Sequence, residues 1–159
     1  MSNHFTEDVV TKIIQWLAGH TGYAAQLRRC TSVSDIGLEE AFASARLTFS
    51  QANSERFAMA LGVLSHLKAA GGKVSPGTAM AMGRNKPSVS KLRFQALIRS
   101  DDADTVYRQL RRVLPLIQES VDPVQLANDA FWLTSKGGAR VRNRWAADYY
   151  EKLFDTAGA

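Results

Sequence analysis

The stretch DADTVYRQLRRVLPLI, residues 102–117, decides the fold. Val106, Leu110, Val113 and Ile117 recur at i, i+4, i+7 and i+11, the stripe of an α-helix with one buried face. Asp104 is read as its opening residue. Pro115 predicts a kink or break, because it has no N–H to donate to the Arg111 carbonyl. Arg108, Arg111 and Arg112 stand at i, i+3 and i+4, on a side away from Leu110 and Val113.

The same reading extends outward in both directions. Downstream, Asp122-Pro123 is an N-cap followed by proline at the first helical position, and this helix runs to Leu133. Ser135-Lys136-Gly137-Gly138 is a loop. A last helix spans about Ala139 to Phe154, with Val141, Trp145 and Tyr149 on one stripe and read as core. Upstream, Pro87 and Ser88 open a helix through Val89, Leu92, Phe94, Leu97 and Ile98. A helix from Ser54 to about Ala70 is apolar almost all round and is read as the central buried one. His66 within it is read as a core or boundary histidine. Shorter helices cover Leu38 to Leu47 and Tyr23 to Arg29. Thr6 caps a first helix that ends at Gly19, where Val9, Ile13, Ile14, Trp16 and Leu17 share a face. No segment alternates with period two. The expectation is an all-α bundle of about seven or eight helices, one domain over residues 1–159. A seam in the Gly/Pro-rich stretch from Gly71 to Pro87 would divide it into halves 1–75 and 88–159.

Composition limits the chemistry. The 159 residues include one cysteine and three histidines, too few for a disulfide scaffold or a structural zinc site. The N-terminus is acidic where a signal peptide is basic, and the longest apolar run, Phe57 to Leu64, is too short for a bilayer. A cytoplasmic protein without membrane partners is expected. No phosphate loop, His-Glu-x-x-His, paired-cysteine motif or nucleophile elbow is present, and no cofactor or metal site is expected. Asp101, Asp102 and Asp104 read as a solvated cluster at a helix start rather than a magnesium site. The chain is therefore read as a non-enzyme.

Charge points to a polyanion. The net charge is +5 with a pI near 9.6, and residues 1–80 hold seven Lys/Arg against six Asp/Glu, whereas residues 81–159 hold thirteen against nine. Arg84, Lys86, Lys91, Arg93 and Arg99 form one acid-free run, and Lys136, Arg140, Arg142 and Arg144 another. Arg28-Arg29 and Arg111-Arg112 add to them. Guanidinium groups on rigid helices present donor forks to phosphate oxygens. The candidate nucleic-acid-binding residues are Arg28, Arg29, Lys91, Arg93, Arg99, Arg108, Arg111, Arg112, Arg140, Arg142 and Arg144. Exposed aromatics of the kind that stack on bases are not evident.

Two binding architectures fit these residues. Ala79, Gly83, Val89 and Leu92 have the spacing of a helix-turn-helix, in which Ser88, Ser90, Lys91 and Gln95 would face a major groove. That makes a DNA-binding regulator one reading, and a helical adaptor with solvated basic faces another. The longer signal is an ordered set of pieces: Trp16-Leu17, Ala25-Gln26-Leu27-Arg28-Arg29, and Leu92 through Arg99 followed by the acidic cluster. Then come Gln109 through Leu114, Val121 through Asp129 with Trp132, and Val141 through Tyr150. In order and spacing these resemble the CasB family, the small subunit of the type I-E CRISPR surveillance complex Cascade. Leu92 and Thr78 stand where that family often carries basic residues. The resemblance implies an all-helical, non-catalytic subunit without cofactors, acting in antiviral defence. Its implied partners are the guide RNA, the target DNA with its displaced strand, other Cascade subunits and a second copy of itself. In guide-directed complexes base pairing reads sequence, so such a subunit need only hold backbones.

Overall fold

In the computed structural model, residues 3–68 and 71–158 are described, and among them the chain is all-α, as the periodicity predicts. The ten described helices are α1 (Glu7–Gly19), α2 (Thr21–Arg29), α3 (Val33–Ile36), α4 (Glu40–Thr48), α5 (Glu55–Ser65), α6 (Pro76–Ala81), α7 (Lys91–Arg99), α8 (Ala103–Ile117), α9 (Pro123–Leu133) and α10 (Gly138–Gly158). The count exceeds seven or eight because α3 and α6 are single short turns whose apolar pattern is too brief to register as periodic. Among the described residues, one parallel bridge joins Val74 to Val121, and no helix is long and apolar enough to cross a membrane.

Helix starts follow side-chain chemistry. Thr6, Ser32, Ser54, Ser90, Asp102 and Asp122 each accept an amide of the first turn they precede, which satisfies donors that have no intrahelical partner. Three expected starts or ends shift accordingly. Asp102 caps α8 in place of Asp104, which instead accepts from the amides of Val33 and Ser34 at 3.0 and 3.2 Å and from the Ser34 hydroxyl at 3.0 Å. Ser90 opens α7, so Pro87 and Ser88 lie in the preceding loop, where the Ser88 and Val89 amides donate to Met82 and Met80 carbonyls at 2.7 and 2.8 Å. Helix α5 ends at Ser65 rather than near Ala70, because His66 and Leu67 donate to carbonyls three residues back. Ala70 lies outside the described residues.

Pro115 does not break α8, which continues through it to Ile117. The proline sits in the last turn, so the lost bond to Arg111 is one near a fraying end. The stripe Val106, Leu110, Val113 and Ile117 is buried as predicted. Helix α1 turns slightly from the expected face: Val10, Ile13 and Leu17 are buried, and Val9, Ile14 and Trp16 lie half-buried at its edges. In α4, Ala41, Phe42 and Ala45 face inward, which leaves Leu38 and Leu47 87% and 80% exposed.

Helix α5 is the centre, packed against α9, α8, α3, α2 and α1. Gly62 permits the close approach of α8: a Cβ there would lie 2.5 Å from Ile36 Cδ1 and 2.8 Å from the Tyr107 ring. Residues before and after the Gly71–Pro87 stretch share one apolar core that runs from Phe5 to Tyr149. The Phe5 amide donates to Asn128 Oδ1 at 2.8 Å, and Asn128 Nδ2 returns a bond to the Phe5 carbonyl at 3.0 Å. Helix α10 packs on α6 and α9, with Val141, Trp145 and Tyr149 fully buried. Tyr149 stacks on Phe94 at 3.9 Å and donates to the Val89 carbonyl at 2.8 Å, which docks α7.

Candidate nucleic-acid interface

The basic residues divide into three groups according to what holds them. The first surrounds the C-terminal end of α5. Burial of Leu27 in α2 and of Leu110 and Val113 in α8 leaves Arg28, Arg108, Arg111 and Arg112 on a common rim, with Arg29 exposed next to Arg28 on α2. Arg28 Nε donates to the Ser65 carbonyl at 2.7 Å, and Arg111 Nη2 donates to the Arg28 carbonyl at 3.1 Å. These partners are neutral, so both guanidinium groups are positioned without being neutralised. An open cleft of about 570 Å³ lies there, lined by Thr31, His66, Arg108, Arg111 and Arg112. None of the five arginines makes an ion pair among the described residues.

The electrostatics of this rim register on its neighbours. Burial and then the charges of Arg111 and Arg28 push His66 down to about 4, so its ring is neutral at pH 7. Its Nε2 lies 3.3 Å from the Tyr107 hydroxyl, which burial holds well above the usual phenol range. Cys30 is also raised, by burial and by Glu39 and Asp35, against the pull of Arg111 and Arg29. It is a buried free thiol whose Sγ donates to the Gln26 carbonyl at 3.3 Å.

The second group lies on α10, where Arg140 is exposed and Arg142 and Arg144 are half-buried. Arg144 differs from every other predicted cation. Its Nη2 pairs with Oδ1 of the buried Asp129, whose Oδ2 accepts from Trp145 Nε1 at 2.7 Å. Burial pushes the Asp129 carboxyl up, and the bonds from Arg144 and Trp145 oppose that rise. Arg144 is therefore engaged within the fold, and its charge is largely compensated.

The third group is on α7, where Lys91, Arg93 and Arg99 are exposed around the buried anchors Phe94 and Leu97. Leu92, one of the apolar residues of the helix-turn-helix spacing, is 79% exposed. The α7 and α10 cations do not line the α5–α8 cleft. In the acidic cluster, Asp102 and Asp104 act as caps, and hydrogen bonds from Thr105 hold Asp102 below the usual carboxylate range. No three His, Cys, Asp or Glu side chains gather as a metal site among the described residues.

Sequence reasoning missed two features. Thr31 and His66 join the first arginine group only through tertiary packing. The second is a partly exposed ring cluster: Tyr23 stacks on Trp16 at 5.7 Å and on the exposed His20 at 5.9 Å, and Phe49 meets Trp16 edge-on. The i, i+4, i+7 spacing of Trp16, His20 and Tyr23 was the available signal, hidden because the helix break at His20 falls inside it.

The family profile for CRISPR-associated protein Cse2 matches residues 23–150. The matched segment contains all eleven candidate cations. No curated protein and no solved structure gives a significant match. The match covers most of the chain, which belongs to the Cse2 family and so to the CasB-type small subunits of type I-E Cascade.

Proposed function

We propose that this Cascade small subunit is a non-catalytic holder of nucleic-acid backbones, steadying the guide RNA–target DNA heteroduplex and the displaced strand. The observation that carries this reading is the α2–α8 rim, where Arg28 and Arg111 are fixed by carbonyl oxygens and five guanidinium groups keep their charge. Fixed cations without carboxylate partners attract phosphates and gain little from base identity. The exposed cations of α7 and Arg140 and Arg142 on α10 extend the basic surface. Engagement of Arg144 by Asp129 makes it a support for α10 rather than a primary contact.

The reading is tested by salt. With about five phosphate contacts, the slope of log K against log salt should be near −3.5 for single strands. Sequence preference should be small. The charge reversals R108E and R112E should each flatten the slope by roughly 0.7 for single strands, with circular dichroism unchanged. A slope unaltered by both, in protein that remains folded, overturns the assignment. Incubation with Mg²⁺ or Mn²⁺ should leave RNA and DNA intact.

A further inference from the structure

We infer that the α5–α8 cleft is a proton-linked phosphate site, in which a backbone phosphate seats among Arg108, Arg111 and Arg112 while His66 takes up a proton. The inference rests on the backbone-holding reading above and deepens it, because it adds a titrating member that the arginine pattern does not contain.

Geometry places His66 in the cleft. The residue caps α5, its ring is half-buried, and it lines the same opening as Thr31, Arg108, Arg111 and Arg112. Arg111 is anchored through Nη2, while its buried Nε has no hydrogen-bond partner. Arg28, which holds Arg111 by its carbonyl, is itself fixed on the Ser65 carbonyl, one residue before His66. The histidine is thus built into the framework that positions the cations.

Its surroundings are one-sided in charge. Helix α8 presents Tyr107, Arg108, Arg111 and Arg112, helix α2 presents Arg28, and Thr31 follows α2. The charges acting on His66 are Arg111 and Arg28. The acids of the neighbourhood, Asp35 on α3 and Glu39, act on Cys30. On α9, Asp129 is engaged with Arg144 and Trp145. Helix α1 contributes Glu7, Asp8 and Lys12, the last two paired with each other at 2.9 Å.

A phosphodiester brings one negative charge to this place. Burial is the largest cause of the low His66 pKa and stays in place, but the phosphate charge offsets the repulsion from Arg111 and Arg28 and favours the imidazolium, which shifts the pKa upward on binding. The proton comes from solvent and adds to the free lone pair of the ring, and no other bond changes. The Tyr107 hydroxyl can accommodate either form, donating to a neutral ring nitrogen or accepting from a protonated one. The bound state holds more protons than the free state between the two pKa values. Affinity therefore falls as pH rises through the bound-state pKa, by at most about tenfold per pH unit for one proton.

The test uses the full chain with short single-stranded RNA and DNA oligonucleotides, and with dimethyl phosphate, which stays a monoanion throughout. Affinity for either oligonucleotide should fall at least threefold (roughly) between pH 5.5 and pH 7.5, within the one-proton limit. H66Q should flatten that dependence, whereas H4Q/H20Q should keep it. Ring resonances of His66 in the unmutated chain, followed by NMR, should titrate at higher pH with oligonucleotide or dimethyl phosphate than without. This second readout decides the matter if H66Q fails to fold. An unchanged His66 titration with oligonucleotide bound overturns the inference and leaves the backbone-holding reading standing. Failure to bind either oligonucleotide, alone and in assembled Cascade, overturns both.

Discussion

The rim between α2 and α8 and the arginine row of α10 use the same residue type at similar helical spacings, yet they differ in what the guanidinium groups touch. At the rim, Arg28 and Arg111 lean on carbonyl oxygens of Ser65 and Arg28. On α10, Arg144 meets the carboxylate of Asp129. A carbonyl fixes geometry and leaves the charge in place, whereas a buried carboxylate fixes geometry and consumes it. The comparison teaches that an arginine is read as a ligand-binding cation only after the formal charge of its internal partner is known.

The largest expected effect separates the two regions by stability. D129A leaves Arg144 and Trp145 Nε1 without their partner and should cost about 3 kcal/mol, the lower end for breaking a buried pair because Arg144 is half-exposed. R112E on the rim should change stability by no more than about 0.5 kcal/mol. Urea denaturation of both variants makes the comparison, and equal losses would erase the distinction between them.

Glycine substitutions sharpen the contrast between the scaffolds. A Cβ at Gly77 would lie 2.4 Å from the Trp145 carbonyl oxygen, and one at Gly62 would lie 2.5 Å from the Ile36 Cδ1. Backbone of α10 retreats less readily than the Ile36 tip and the Tyr107 ring edge that a Cβ at Gly62 would meet. G77A should therefore cost about 2 kcal/mol, from overpacking, and G62A about 1 kcal/mol. A midpoint for G62A below that of G77A would show that the α5–α8 junction is the stiffer one.

The smallest effect is in acid. His66 sits at about 4 in the fold against an ordinary 6.5, so the unfolded chain binds the proton first as pH falls. Its contribution is full above about 6.5 and is lost as pH drops through the window toward 4. Because the ring is only half-buried, the loss should be small and largely absent in H66Q, as read from urea midpoints at pH 7.5 and 5.0.

Much of this was legible in the sequence, and for identifiable reasons. The stripe Val106–Leu110–Val113–Ile117 and the cap Asp122-Pro123 each lie within one helix, where spacing along the chain is spacing in space. The arginine trio of α8 was legible on the same grounds. Helices α3 and α6 were not, because one turn of helix has no period to detect. Nor was the shift of the α8 cap from Asp104 to Asp102, since Asp104 is claimed by amides some seventy positions away.

By itself, then, the amino-acid order determined the helical class, the helix faces that are long enough to repeat, the burial of Trp145 and Tyr149, and the excess of cations in the second half. It did so because helical burial is a local pattern with a fixed period. Tertiary structure alone decided which cations remain uncompensated: it set Arg144 against Asp129, fifteen residues earlier, and brought Arg28, Arg111 and His66 together from α2, α8 and the end of α5. Charge compensation depends on distance through space, and that distance exists only after the helices have packed.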